Sequence, residues 1–182
     1  MDDFARQVRD ATIARLATLD RYRPRRRPDL PPNIRRTPVM PARQEDLPCL
    51  LCFRLAETLS AEGDANAGAP SFEHEMRLAI AAVLPADDTD ALDDLTCEAG
   101  AEILALLLED PSWLALIEAV TRVEQEIGFD NQAYLAAIVR TTLTVTWRSE
   151  WPPRIEGDFD RLSMRTPDGR GADYSVNPGL KK

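Results

Sequence analysis

Hydrophobic and polar residues alternate one by one from Ala133 to Arg148 (AYLAAIVRTTLTVTWR). Alternation with many β-branched residues is typical of a half-buried strand. One predicted face carries Leu135, Ala137, Val139, Thr141, Leu143, Val145 and Trp147. At ~3.3 Å per residue this strand would reach roughly 50 Å, beyond the usual length of about five or six residues. We therefore expect one end to project beyond its own domain and to contact another subunit.

Two further stretches predict a β-hairpin. Cys49–Leu59 (CLLCFRLAETL) begins fully apolar and ends more polar, and Phe72–Leu84 alternates again. In the second stretch, one face carries Phe72, His74, Met76, Leu78, Ile80, Ala82 and Leu84. The small residues between 60 and 71 predict a loop, so the two strands are expected to pair antiparallel.

Helical spacing of apolar residues occurs in three places. Phe4–Leu19 is an amphipathic pattern that ends before Pro24, and Asp90–Glu109 is a second one with Asp90 as its N-cap. Asp110 followed by Pro111 predicts the start of another helix. Residues 120–127 either continue that helix or form a short strand, and 128–131 then form a turn into the long strand.

The remaining segments are rich in proline. Residues 21–48 combine arginine with seven prolines, and residues 151–182 contain several proline and glycine turn signals. Both are expected to be extended, with little regular structure. We therefore predict an α+β domain over 1–150 and a C-terminal extended arm over 151–182. The domain would hold a mixed or antiparallel sheet of about four strands, with helices packed on one face and a hairpin loop at 60–71.

Composition narrows the class of protein. At 182 residues and 44% hydrophobic, the chain is long enough for one real core, and no apolar run approaches the ~20 residues of a membrane span. The first residues are charged and lack the apolar centre of a signal peptide. Three cysteines indicate free thiols rather than a disulfide framework. We expect a soluble protein made in a cytoplasm, without a membrane partner.

The net charge of −9 is unevenly distributed. Eight arginines and one acid lie between Arg21 and Arg43, whereas thirteen acids and one base lie between Asp87 and Asp130. The arginines at 25, 26, 27, 35 and 36 could bind nucleic-acid phosphates, but Tyr22 is the only aromatic residue nearby for stacking bases. We favour a cationic arm that docks on an acidic surface, such as that of a neighbouring copy.

Catalytic or metal-binding patterns are weak. His74 is the only histidine and is predicted to be an ordinary strand residue, because no partner for a nucleophile relay is visible in the sequence. Cys49 and Cys52 lie in a strand-like run where alternation sends the two sulfurs to opposite faces, and no second Cys/His pair completes a zinc site. The aspartates of 87–94 lack the spacing of a calcium loop. We predict no enzyme activity, no cofactor and no metal.

Three strings, taken in their order along the chain, resemble the tail terminator (minor tail protein U-like) family of long-tailed bacteriophages. They are EDLPCLLCF entering the first strand, DTDALDDLTCEAGAEILALLLEDPSW over the helices, and LTVTWRSEWP closing the core. The likeness covers about Phe4 to Trp151. The chain is longer than compact members of that family, mainly in the Arg/Pro segment, the loop around 63–70 and the C-terminal arm.

The resemblance implies a virion protein without an active site. Members of the family form a six-membered ring on the head-proximal end of the tail tube, end tube polymerisation and offer a surface for head–tail joining. Expected partners are other copies of the chain, the tail tube protein and a head-completion or connector protein, while genomic DNA passes through the bore. The candidate interface residues are Arg25, Arg26, Arg27, Arg35, Arg36, Asp93, Asp94 and Trp151. A neck connector and a nucleic-acid-binding module remain the alternatives.

Overall fold

The computed structural model describes residues 4–39, 43–62, 71–85, 92–130 and 136–150, and the backbone of 162–165 and 171–174. Contacts divide the chain into two compact units, residues 1–150 and 151–182. The described residues of the first unit form one five-stranded sheet and three α-helices. The predicted Asp90 cap and Trp151 both lie outside the described residues.

The sheet of the first unit has the strand order β1-β2-β3-β5-β4. Its strands are β1 (Ile34–Arg35), β2 (Cys49–Glu62), β3 (Ser71–Pro85), β4 (Ala119–Asp130) and β5 (Ala136–Glu150). All neighbouring pairs are antiparallel except β1 with β2, which are parallel. The predicted α+β class with a mixed sheet is confirmed, with five strands rather than about four.

The helices α1 (Phe4–Leu16), α2 (Leu92–Leu108) and α3 (Pro111–Leu114) pack on one face of this sheet. Their buried residues share one hydrophobic cluster with alternate residues of β2, β3 and β5. The helical members of that cluster are Ala5, Val8, Leu16, Ala99, Ile103, Leu107 and Trp113. We call this side of the sheet the helix face. A smaller apolar cluster that includes Leu51, Val83 and Ala136 lies on the opposite face.

Strand β5 does not project from the sheet, so that expectation is wrong. It pairs with β3 along its whole length, from Ala136↔Pro85 to Glu150↔Ser71. Strand β4 pairs with its other side from Ala136 to Thr146. The long alternation therefore reflects a central strand with an equally long neighbour. Its predicted inner face is confirmed, because Val139, Leu143, Val145 and Trp147 are buried against the helices.

Several predicted boundaries shift in the structure. Helix α1 ends at Leu16 rather than Leu19, and β2 continues to Glu62, into the predicted loop. Helix α3 is a single turn, and residues 119–130 form β4, so the predicted turn at 128–131 is wrong over 128–130. Residues 119–130 adopt strand structure because they pair with β5. That pairing is a tertiary contact, which the local sequence pattern does not show.

The Arg/Pro segment is largely irregular, as predicted, but it also supplies β1. Ile34 and Arg35 pair with Leu50 and Leu51 of β2. In the second unit, Leu162–Arg165 and Gly171–Tyr174 form an antiparallel pair, β6 and β7. The arm is therefore more regular than expected. Strands of four residues, such as β6 and β7, are too short to show a clear alternation of apolar and polar residues in the sequence.

Candidate functional site

The arginine-rich segment finds acidic partners within its own chain. Arg21 Nη1 lies 3.2 Å from Glu102 Oε2 of helix α2, and Arg26 Nη1 lies 2.9 Å from Glu45 Oε2. Arg35 and Arg36 lie 3.0 and 3.6 Å from carboxylate oxygens of Asp46 and Asp10, respectively. Exposed ion pairs of this kind stabilise a fold by only about 0–1 kcal/mol each. Their larger effect is to neutralise much of the segment's positive charge.

The structure separates the candidate interface residues into several places. Arg25, Arg26 and Arg27 are exposed, and the last two line a shallow depression of about 300 Å³ with Glu45 and Asp46. Arg36 is exposed and Arg35 is half-buried. Asp93 and Asp94 are exposed in the first turn of α2, where the helix dipole favours anions. The role of these arginines and aspartates in a subunit interface remains a prediction.

The edges of the sheet present a different kind of surface. Strand β4 is the last strand of the sheet, and no strand in the described part of the chain pairs with its outer side. It exposes three apolar side chains, Val123 at 41%, Ile127 at 50% and Phe129 at 62%. Long edge strands with exposed apolar residues are sites where another chain can pair.

The outer side of β2 is also largely open. Among the described strands only β1 pairs with it, at Leu50 and Leu51. Beyond that short contact β2 exposes Leu55 at 41% and Leu59 at 53%. The helix-covered sheet thus has an open edge with exposed aliphatic residues on each side. Sequence analysis did not identify either edge, because strand order is not encoded locally.

On the face opposite the helices, the part of the sheet outside the smaller apolar cluster is polar, and many of its charges are paired. Arg140 pairs with Glu126 at 2.9 Å, and Arg77 pairs with Glu124 at 3.4 Å. A shallow depression of about 480 Å³ is lined by Glu75, Arg77, Thr121, Arg122, Glu124 and Thr144. Acidic and basic groups mix within this depression, and no net cationic track for nucleic acid forms there.

His74 has partners that sequence analysis missed. Its Nδ1 lies 3.0 Å from Glu57 Oε1 on β2, and its Nε2 lies 2.7 Å from Ser149 Oγ on β5. The imidazole stacks on Trp147 with ring centroids 4.9 Å apart, and Trp147 in turn contacts Phe4 of α1. His74 lies on the same face of β3 as Met76, as predicted, and its partners come from the two neighbouring strands, β2 and β5. The sequence did not show these partners, because Glu57 and Ser149 lie 17 and 75 positions from His74.

This arrangement has the connectivity of a serine–histidine–carboxylate relay. A nucleophilic serine usually lies at a sharp turn that exposes its hydroxyl beside free backbone N–H groups. Ser149 instead lies within a regular ladder, where its Cα is paired in register with Phe72 of β3. These contacts are those of a structural link: His74 joins β2, β3 and β5 by polar contacts, and its stacking on Trp147 fixes the ring.

The cysteines are placed as the alternation predicts. Cys49 belongs to the smaller apolar cluster and Cys52 to the helix-face core, and both thiols are free and fully buried. Burial raises the pKa of each thiol to about 12, which suppresses the reactive thiolate. Cys97 on α2 is free and exposed. The described residues contain no group of three or more His, Cys, Asp or Glu side chains that could hold a metal ion.

No helix in the described ranges is long and apolar enough to cross a membrane. No protein-family model matches the chain. No curated protein matches it either.

Proposed function

We propose that this protein is a structural virion protein, a phage tail terminator. In this proposal it forms a ring, six-membered by analogy with the family it resembles, at the head-proximal end of the tail tube. The ring ends tube polymerisation and provides the surface on which the head-side connector docks. Its site of action is the neck of the virion, after assembly in the host cytoplasm.

One observation carries the proposal, namely the order and layering of the elements. A helix and an extended segment precede a hairpin, a helix pair and the long strand β5, in the order that the resemblance implies, with β4 inserted between the helix pair and β5. The helices cover one face of a mixed sheet. Exposed apolar residues on both edges of that sheet add support, because surfaces of this kind mark contacts with other protein chains.

A ring requires only one contact, repeated. A heterologous interface uses two different patches on each copy and closes when the rotation between copies divides a full turn. No catalytic group is needed for this role. The mixed and internally paired charges of the first unit suit a bore that DNA must traverse without sticking, and the acidic α2 is one candidate lining for it.

Tube assembly provides the direct test. Purified protein is added to polymerising tail tube protein, and tube lengths are measured by negative-stain microscopy. We expect rings in the purified protein, and shorter tubes capped at one end in the mixture. A protein that stays monomeric at every concentration in mass photometry, and leaves tube length unchanged, would contradict the proposal.

A neck connector is the nearest alternative. It would also form rings, but it would bind the head-side assembly and leave tube growth unaffected, so the same mixture separates the two roles. A nucleic-acid-binding module predicts DNA binding whose affinity falls steeply with salt. We expect little DNA binding, because acids of the same chain pair with Arg21, Arg26, Arg35 and Arg36.

A serine hydrolase is a second candidate that one observation favours, the contact of His74 with Ser149 and Glu57. A fluorophosphonate reagent labels an activated serine, and intact-mass analysis detects the adduct. We expect no labelling, because Ser149 lies in a paired strand. An adduct on the native protein that Ser149→Ala abolishes would establish the hydrolase and remove the claim that the chain lacks an active site.

A further inference from the structure

We infer that copies of this chain join edge to edge, with the outer side of β4 of one copy pairing antiparallel with the outer side of β2 of the next. The five-stranded sheet would then continue from copy to copy around the ring. This inference rests on the proposed ring and names the surfaces that build it.

Both edges offer a regular stretch, of nine residues in β4 and seven in β2. In β4 the register shift lies between Val120 and Arg122, so 122–130 pairs regularly with β5. In β2 the register shift lies between Arg54 and Ala56, so 56–62 pairs regularly with β3. Each stretch has one side occupied within the chain, while no strand in the described ranges pairs with its other side. Strand addition satisfies such open backbone groups with main-chain hydrogen bonds.

Val123 and Ile127 of β4 lie on the same face of the sheet as Leu59 of β2. In β4, Val123 and Ile127 are opposite Leu143 and Val139, which point toward the helices. In β2, Leu59 is opposite His74, and directly opposed residues of an antiparallel pair share a face. When one edge pairs with the other in a continued sheet, Leu59 of one copy meets the Val123 and Ile127 side of the next copy on the helix face, and these side chains exclude water from each other.

Strand direction agrees with a head-to-tail ring. Three successive antiparallel pairings separate β2 from β4, so the two strands run in opposite directions. Rotation about a ring axis preserves each strand's direction along that axis. Strand β4 of one copy therefore meets β2 of the next copy in the antiparallel sense. A two-fold pairing of β4 with β4 would leave Leu55 and Leu59 exposed, whereas the head-to-tail pairing uses both edges.

Cysteine cross-linking tests the pairing directly. In a Cys97→Ser background, Leu59→Cys and Ile127→Cys are made singly and together, and treated with a short bismaleimide. Cys49 and Cys52 are fully buried, so the new cysteines carry the reaction. Leu114→Cys combined with Leu59→Cys is the matched control, since Leu114 is 38% exposed but lies on α3, outside both edge strands. Circular dichroism confirms that each variant is folded.

We expect the Leu59→Cys/Ile127→Cys protein to give a ladder of covalent oligomers ending at one closed species, whose size is the ring size. The single variants and the Leu114→Cys control should stay uncross-linked. Dimers formed by Ile127→Cys alone would overturn the inference in favour of two-fold pairing. Rings in mass photometry without a ladder would overturn the edge pairing and leave the proposed function standing, whereas a monomeric native protein would overturn both.

A second experiment introduces charged residues at the two edges and needs no cross-linking reagent. Leu59→Glu and Ile127→Lys should each lower the ring association constant at least about tenfold, because each buries an unpaired charge in the interface. The double variant should recover most of that loss, since every interface then holds one residue of each sign. Leu114→Lys should change nothing. Equal loss in the single and double variants would overturn the pairing of these two edges.

Discussion

The buried indole of Trp113 shows how single residues hold the helices of this protein together. Trp113 on α3 donates from Nε1 to Thr12 Oγ1 on α1 at 2.8 Å, and that hydroxyl donates to the carbonyl of Val8 at 2.8 Å. Trp113 and Thr12 are both fully buried. The chain of hydrogen bonds therefore links two helices inside the core, where water cannot replace a lost partner.

Thr12→Val should destabilise the protein by about 1–3 kcal/mol, because it keeps the volume but leaves a buried indole N–H without an acceptor. Urea unfolding measures the change. Thr12→Ser keeps the hydroxyl and should cost less, since it removes only a methyl group. Equal losses in the two variants would show that packing, rather than the hydrogen bond, matters at this position.

Asp110 begins helix α3 as its sequence predicts. Its carboxylate accepts from the Ser112 backbone N–H at 3.0 Å and lies 2.7 Å from Arg15 Nε on α1. The hydrogen bonds from Ser112, together with the charge of Arg15, hold the pKa of Asp110 below its ordinary value of 3.8. The unfolded chain therefore binds more protons than the folded chain near that pH.

The contribution of Asp110 to stability is present above pH 3.8 and is lost as the pH falls through its lower folded-state pKa. Asp110→Ala should lower the melting temperature at neutral pH, and the gap to the native protein should narrow in strong acid. Asp110→Asn keeps a capping oxygen and should lose less at neutral pH. A gap that widens in acid would contradict this assignment.

At the scale of elements, a glycine of α2 lies beside a side chain of β4. A Cβ at Gly100 would lie 2.6 Å from Gln125 Nε2, and Gln125 donates to Thr141 Oγ1 at 3.2 Å. The close approach involves the end of a flexible side chain, which can rotate away. Gly100 therefore lets the Gln125–Thr141 hydrogen bond form beside the helix.

Gly100→Ala should change the free energy of unfolding by less than about 1 kcal/mol, because the gain in helix propensity offsets the displaced glutamine. Chemical denaturation measures it. Gly128→Ala in β4 is the matched control, since nothing lies within 4 Å of its Cβ, and it should stabilise. Gly100→Ala combined with Gln125→Ala should cost no more than Gln125→Ala alone. A loss of several kcal/mol in Gly100→Ala alone would mean that Gln125 cannot move.

At the scale of the whole molecule, the two charged segments interact within one chain. Arg21 reaches Glu102 and Glu98 on α2, so part of the complementarity expected between neighbouring copies is already used internally. Interfaces built from the sheet edges would depend on main-chain hydrogen bonds and apolar contact. Such interfaces respond weakly to salt.

The population of rings should therefore change little as salt is raised from about 0.1 M to about 1 M, over which the Debye length falls from about 10 to about 3 Å. Mass photometry at fixed protein concentration measures it. Dissociation of the rings over that range would favour the alternative in which the arginine segment of one copy docks on the acidic helix of the next.

Local patterns were sufficient to predict much of the fold. Alternation identified β3 and β5 and assigned their faces, because side-chain direction in a strand has a period of two residues wherever the strand lies. A fully apolar run that becomes more polar identified β2. The start of α3 could also be predicted from the sequence, since the cap involves only the adjacent residues Asp110, Pro111 and Ser112. These features were determined by the sequence without reference to distant contacts.

Tertiary structure decided what local patterns left open. Residues 119–130 form a strand because they pair with β5. Strand β5 does not extend beyond the sheet because β3 pairs with it along its whole length. The partners of His74 lie 17 and 75 positions away, and Arg21 meets an acid 81 positions away. Which strand edges remain open depends on strand order. Strand order follows from how the whole chain buries its apolar surface, and no short segment specifies it.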